Sequence, residues 1–139
     1  MIVFYYAVLK FAIYSGWCYV GLKILRPGEP TRWKFALGLG FLRLMLGLFF
    51  GVAIFFLINL VAIALYGQQL LIYLAIYVPV RWIEWAIIDR LIARTLAGFL
   101  LGQNSTTRCW RTLGIVISCL ADIPIIVWIG GLPLGRFMC

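Results

Sequence analysis

Lys10 and Asp122 are each set in the middle of an apolar run, where the sequence has almost nothing else that is charged. An ionisable pair inside such surroundings has two chemical uses. It can relay a proton or ion, with Asp122 as the titrating group and Pro124 loosening the helix beside it. It can also serve as a structural tie between two helices, and this is the preferred reading. An unpaired charge at the centre of a bilayer costs at least ~2.5–3.5 kcal/mol on insertion scales, so each is expected to have a polar partner. A structural pair of this kind should be replaceable by apolar residues, as in Lys10→Met combined with Asp122→Leu.

A second group is Arg81-Trp82-Ile83-Glu84-Trp85. Arg81 and Glu84 are spaced i, i+3 and can pair along one helix face. With Trp82 and Trp85 beside them, the expectation is an interfacial belt at headgroup depth that contacts lipid or a partner subunit. A third group is Ser118 and Asp122, four residues apart on one helical face with Cys119 adjacent. Serine and aspartate without histidine make no hydrolase triad. The chain contains no histidine at all, which removes the commonest general base and the commonest metal ligand. Its four cysteines, Cys18, Cys109, Cys119 and Cys139, form no C-x-x-C pair. No catalytic residue and no metal site are assigned, and no catalytic activity of the chain's own is expected. No cofactor is expected to be directly ligated, although bound lipids or pigments remain compatible with the composition.

The elements that must position these residues follow from hydropathy. Of 139 residues 65% are hydrophobic and only 12% charged, too few charges to coat a water-facing surface. The mean hydropathy is +1.09. Residues 44–66 form an apolar run of twenty-three whose one strongly polar member is Asn59. At about 1.5 Å per residue that run crosses a hydrocarbon core of roughly 30 Å. Gly67-Gln68-Gln69 interrupts it, and the chain turns apolar again to about residue 88, as in a transmembrane helical hairpin. Segments 2–24 and 113–129 complete the reading. It is an all-α integral membrane protein of four transmembrane helices (2–24, 44–66, 70–88 and 113–129), one polytopic domain over 1–139 with short loops and no soluble domain. The first segment lacks a polar n-region and a cleavage site, so it reads as a retained span rather than a signal peptide.

Local signals refine that plan. In the first span Lys10, Tyr14, Trp17 and Gly21 recur at i, i+4, i+7 and i+11, so they share a face that should meet protein. Pro27, Gly28 and Pro30 break the chain after it, and residues 23–43 read as a basic loop, with a short interfacial helix near 33–38. Gly47 and Gly51, a G-x-x-x-G spacing, suit a close helix contact. Pro79 should bend the third helix, since its ring offers no N–H to the carbonyl of Ala75. Residues 89–101 read as a helix that leaves the bilayer or lies along its surface, with Arg90 and Arg94 on one side. Residues 102–107 read as a polar loop, with Cys109-Trp110-Arg111 leading into the last span.

The net charge of +8 would suggest nucleic acid in a polar protein. Here the basic residues flank apolar segments, so no nucleic-acid partner is expected. Ten of the twelve Lys and Arg fall in 23–43 and 81–111. The positive-inside rule then gives both termini outside the cytoplasm, in a prokaryotic-type inner membrane. Function is read as that of an accessory subunit of a larger multi-subunit membrane complex (respiratory, photosynthetic or transport). Its expected partners are other membrane subunits and membrane lipids. The alternatives are a small oligomeric transporter or channel using Lys10 and Asp122 in an ion or proton path, and, less favoured, an enzyme or assembly factor.

Overall fold

The computed structural model describes residues 2–28, 33–61, 69–94 and 104–129. These form four helices and, among the described residues, no strand: α1 (Ile2–Leu25), α2 (Trp33–Val61), α3 (Gln69–Ala93) and α4 (Ser105–Ile129). Two of them contain segments long and apolar enough to cross a membrane, Phe4–Leu25 in α1 and Trp33–Ile54 in α2. The Gly67-Gln68-Gln69 break expected between two spans falls largely in 62–68, and 62–68, residues 95–103 and residues 130–139 with Cys139 lie outside the described residues.

Each helix end has a local cause. α1 stops where Pro27 and Gly28 follow, with Gly28 in the left-handed region (φ 105°) that suits glycine. The Arg26 N–H still reaches the Leu22 carbonyl at 3.1 Å. α3 runs through Pro79 and ends at Arg94 (φ 53°), whose N–H bonds the Arg90 carbonyl at 2.8 Å. α4 begins at Ser105, and the Arg108 N–H bonds the Asn104 carbonyl at 3.1 Å.

Two boundaries differ from the hydropathy reading. α2 starts at Trp33, so residues 33–43 are helix rather than loop. Nothing between them forbids helix, and the charge that suggested a loop, Arg43, is buried and paired across the bundle. α4 starts eight residues earlier than expected, so Cys109, Trp110 and Arg111 belong to the helix proper.

α1 packs against each of the other three helices, while α3 also touches α2 and α4. Glycines set the closest approaches. A Cβ placed on Gly40 would lie 2.7 Å from the Ser15 backbone nitrogen, so α1 and α2 meet almost backbone to backbone there. Gly21 faces the Trp110 indole and Gly114 faces Trp85 in the same manner. The aromatic core gathers between them. Tyr14 meets Trp85 edge-on (centroids 5.9 Å apart), Trp85 meets Trp110 edge-on (5.2 Å), and Trp110 stacks on Trp17 (6.1 Å). Edge-to-face and offset-stacked pairs at these separations are the favoured geometries of aromatic quadrupoles. Leu22, Ala36, Leu39, Ile88 and Ile92 fill the space around the rings.

The outside of the bundle is apolar. Phe4, Phe49 and Val127 are 70%, 72% and 73% exposed, and Phe41, Leu48, Val52 and Leu120 also face outward. This reverses the polarity of an ordinary soluble helix bundle, in which charged side chains cover the exterior.

Candidate functional site

The interior holds charge at three levels along the bundle. Lys10, Arg43, Arg81, Glu84, Asp89, Arg111 and Asp122 are all nearly inaccessible.

Asp122 on α4 is the centre of the first level. Its Oδ1 lies 2.8 Å from Lys10 Nζ of α1 and accepts a 2.6 Å hydrogen bond from the Tyr6 hydroxyl, also of α1. Its Oδ2 is bridged by the Arg81 guanidinium of α3. Three helices therefore converge on one carboxylate. Tyr6 and Lys10 are spaced i, i+4, so one face of α1 delivers both donors. The ammonium also sits 4.7 Å from the centroid of the Tyr6 ring. Arg81 extends a second nitrogen, Nη1, to Cys119 Sγ at 3.2 Å. One turn back along α4, Ser118 Oγ donates to the Gly114 carbonyl (2.8 Å) and accepts from Trp85 Nε1 (3.2 Å). Ser118 is thereby engaged in packing α3 on α4.

The second level joins α2 to α3. Arg43 Nη2 lies 2.6 Å from Glu84 Oε2, both side chains fully buried. The Arg43 guanidinium lies against two mutually perpendicular rings, 4.8 Å from the Tyr14 centroid and 5.2 Å from that of Trp85. Planar guanidinium suits such a slot, because it stacks on rings and is more weakly hydrated than an ammonium. The third level joins α3 to α4. Asp89 Oδ2 accepts from Arg111 Nη2 at 2.5 Å and from Arg111 Nε at 3.1 Å, and the guanidinium also approaches the Trp82 ring at 5.7 Å.

The expected site residues are therefore placed as follows. Lys10 and Asp122 are in direct contact. Arg81 and Glu84 are joined to other helices, Arg81 to Asp122 and Glu84 to Arg43, rather than serving only as a local pair along α3. The interfacial belt is corrected on the same ground. Arg81, Glu84 and Trp85 are buried in the bundle, while Trp82 and Ile83 are partly open to a lipid or partner. Arg43, Arg81 and Arg111 leave the set of loop charges, since all three are interior. Gly47 is buried on the inward face of α2 with Ala36, Gly40, Arg43 and Ile54, and Gly51 is half-buried.

Tyr6, Arg43, Gly40 and the Asp89–Arg111 bridge were missed at the level of sequence. A signal existed for some of them. The chain has only four acids, so any acid beside a long apolar helix is a candidate interior counterion. Tyr6 stands one turn from Lys10 on the same face. Gly40 carries no such mark, because G-x-G repeats are common in apolar helices.

Among the described residues the interior holds four cations (Lys10, Arg43, Arg81, Arg111) and three anions (Glu84, Asp89, Asp122), and the surplus falls on Asp122, which takes two. Among the described residues no group of three Cys, Asp or Glu stands close enough to hold a metal ion. No protein-family model, no curated protein and no solved structure matches this chain.

Proposed function

We propose that this chain is a membrane-embedded helical subunit of a larger membrane complex, acting by helix–helix and lipid contacts rather than by chemistry of its own. The observation that carries this reading is the inverted polarity of the bundle. Large apolar side chains face outward on every helix, while seven charged side chains are consumed inside. An interior ion pair of this sort holds helices in register, and an apolar exterior accepts lipid tails or the apolar flanks of other subunits. All four helices cross the bilayer in this reading. α3 and α4 have 25 residues each, long enough at about 1.5 Å per residue to span ~30 Å, and their buried charges are paired within the bundle.

Orientation follows from the exposed cations. Lys23, Lys34, Arg90, Arg94 and Arg108 are the exposed basic residues among those described. They sit at the α1 C-terminus, the α2 N-terminus, the α3 C-terminus and the α4 N-terminus, which are one end of the bundle. That end is cytoplasmic by the positive-inside rule, with both chain termini outside. Labelling with an impermeant thiol reagent tests it: Cys139 reacts in spheroplasts and the exposed Cys109 does not. The opposite pattern overturns the topology.

A second reading, a small oligomeric transporter with Lys10 and Asp122 in an ion or proton path, draws on the depth at which these charges meet. The geometry favours it less. Asp122 already accepts from Tyr6, Lys10 and Arg81, so the described donors occupy it as a fastening point for three helices. Purification from native membrane in mild detergent separates the two. A stoichiometric larger partner supports the subunit reading, and a homo-oligomer alone supports the transporter.

A further inference from the structure

A groove between α2 and α3 opens at the basic end of the bundle, with a volume of about 620 Å³, inside the usual range of roughly 300–1,000 Å³ for ligand sites. Its walls are Phe35 and Leu42 from α2 and Leu91 from α3, all large apolar side chains that stay exposed in the folded chain. Gly38 forms part of its α2 side, and a Cβ built there meets nothing within 4 Å. Among the described residues that line the groove two are charged, Arg90 and Arg94, and none is acidic. Arg90 stands in the last turn of α3 and Arg94 just past its end, so both charges sit where that helix stops.

We propose that this groove binds an anionic glycerophospholipid, its phosphate held by Arg90 and Arg94 and one acyl chain lying along Phe35, Leu42 and Leu91. Two guanidiniums at the rim of an apolar channel match a ligand that is anionic at one end and hydrocarbon beyond it. Guanidinium forks recognise phosphate oxygens in pairs, and the neighbouring Lys34 and Arg108 give this end of the bundle a field of the same sign. Two cations with no acid among the described lining residues favour an anionic over a zwitterionic headgroup, whose cationic part finds no counterpart among them. The lipid, in this position, fills the α2–α3 seam at the depth where the helices leave the hydrocarbon. The inference rests on the membrane reading above.

The test uses the full chain reconstituted in nanodiscs of mixed phosphatidylglycerol and phosphatidylcholine, then released for native mass spectrometry to count retained lipids. Wild type is compared with the double variant Arg90→Gln/Arg94→Gln and, separately, with Gly38→Phe. The second variant leaves both arginines in the sequence and grows its side chain from a position where a Cβ meets nothing within 4 Å, on the wall of the groove. Expected is a preference for phosphatidylglycerol of roughly tenfold in wild type, lost in the double variant and lost again in Gly38→Phe. No preference in wild type, or a preference that survives the double variant, overturns the proposal. A preference that falls in the double variant but survives Gly38→Phe also overturns it, because the attraction is then diffuse and not a built site. Failure of the wild-type chain to enter nanodiscs at all is a different result, since that removes the membrane reading itself.

Discussion

The two ends of the ionic interior are built differently. At the basic end Asp89 and Arg111 form a one-to-one bridge between two helices, with two nitrogens of a single guanidinium on one carboxylate oxygen. At the other end Asp122 serves two cations and a tyrosine from two further helices. The first is a local fastening near the point where the chain leaves the apolar region. The second is a junction on which α1, α3 and α4 all depend, deep in the bundle and carrying more positive than negative charge. Removing the anion from the bridge takes a carboxylate from one cation, whereas removing it from the junction takes a shared carboxylate from two, deep in the bundle where a poorly compensated charge costs most.

The largest effect is therefore expected from Asp122→Leu. Breaking a buried pair by deleting one partner costs about 3–5 kcal/mol, and here Lys10 and Arg81 lose their shared counterion together. Thermal unfolding in detergent, followed by tryptophan fluorescence, should show little folded protein. The geometry also sharpens the rescue. Lys10→Met combined with Asp122→Leu leaves the Arg81 guanidinium facing the new leucine, so that pair should restore little. The triple variant Lys10→Met/Arg81→Met/Asp122→Leu should restore more, and a full recovery by the double variant would break the three-helix account.

Asp89→Asn should be milder, about 2–3 kcal/mol, because Arg111 keeps an amide oxygen to bond and the Trp82 face to lie near. If Asp89→Asn proves as damaging as Asp122→Leu, the contrast between junction and bridge is wrong. Gly40→Ala should cost about 1–3 kcal/mol by forcing α1 and α2 apart, since the new methyl meets the Ser15 backbone rather than a movable side chain. Gly38→Ala, two residues away with open space at its Cβ, is the control and should be neutral or slightly stabilising. Of the destabilising variants, least is expected of Tyr6→Phe, about 1–2 kcal/mol, because Asp122 keeps both cations when the hydroxyl is removed. A loss in Tyr6→Phe equal to that in Asp122→Leu would mean that the hydroxyl, not the charge, organises the junction.

Helices were legible because their signal is local. Apolar runs of spanning length and the breakers Pro27 and Gly28 place α1 closely, whereas the next helix begins at Trp33, well before the apolar run at 44 that marked it in the sequence. The face formed by Lys10, Tyr14, Trp17 and Gly21 was legible too, since helical spacing alone puts them together, and α4 residues meet it through Asp122 and Trp110. The co-location of Lys10 and Asp122 was suggested by equal depth in antiparallel segments.

Pairing was not legible wherever a nearer partner concealed the real one. Glu84 has Arg81 one turn away in sequence, so the i, i+3 rule gives it that partner, while in the folded bundle Arg43 reaches it from another helix. Arg43 itself looked like a loop charge, because the free energy of a charge in an apolar run depends on a counterion more than forty residues off. Composition and spacing determined, without the fold, that the chain is helical, that its surface is apolar and that its few acids must be neutralised. Only the tertiary structure decided which cation each acid takes, since ion pairing acts through space over a few ångströms and leaves no period in the sequence.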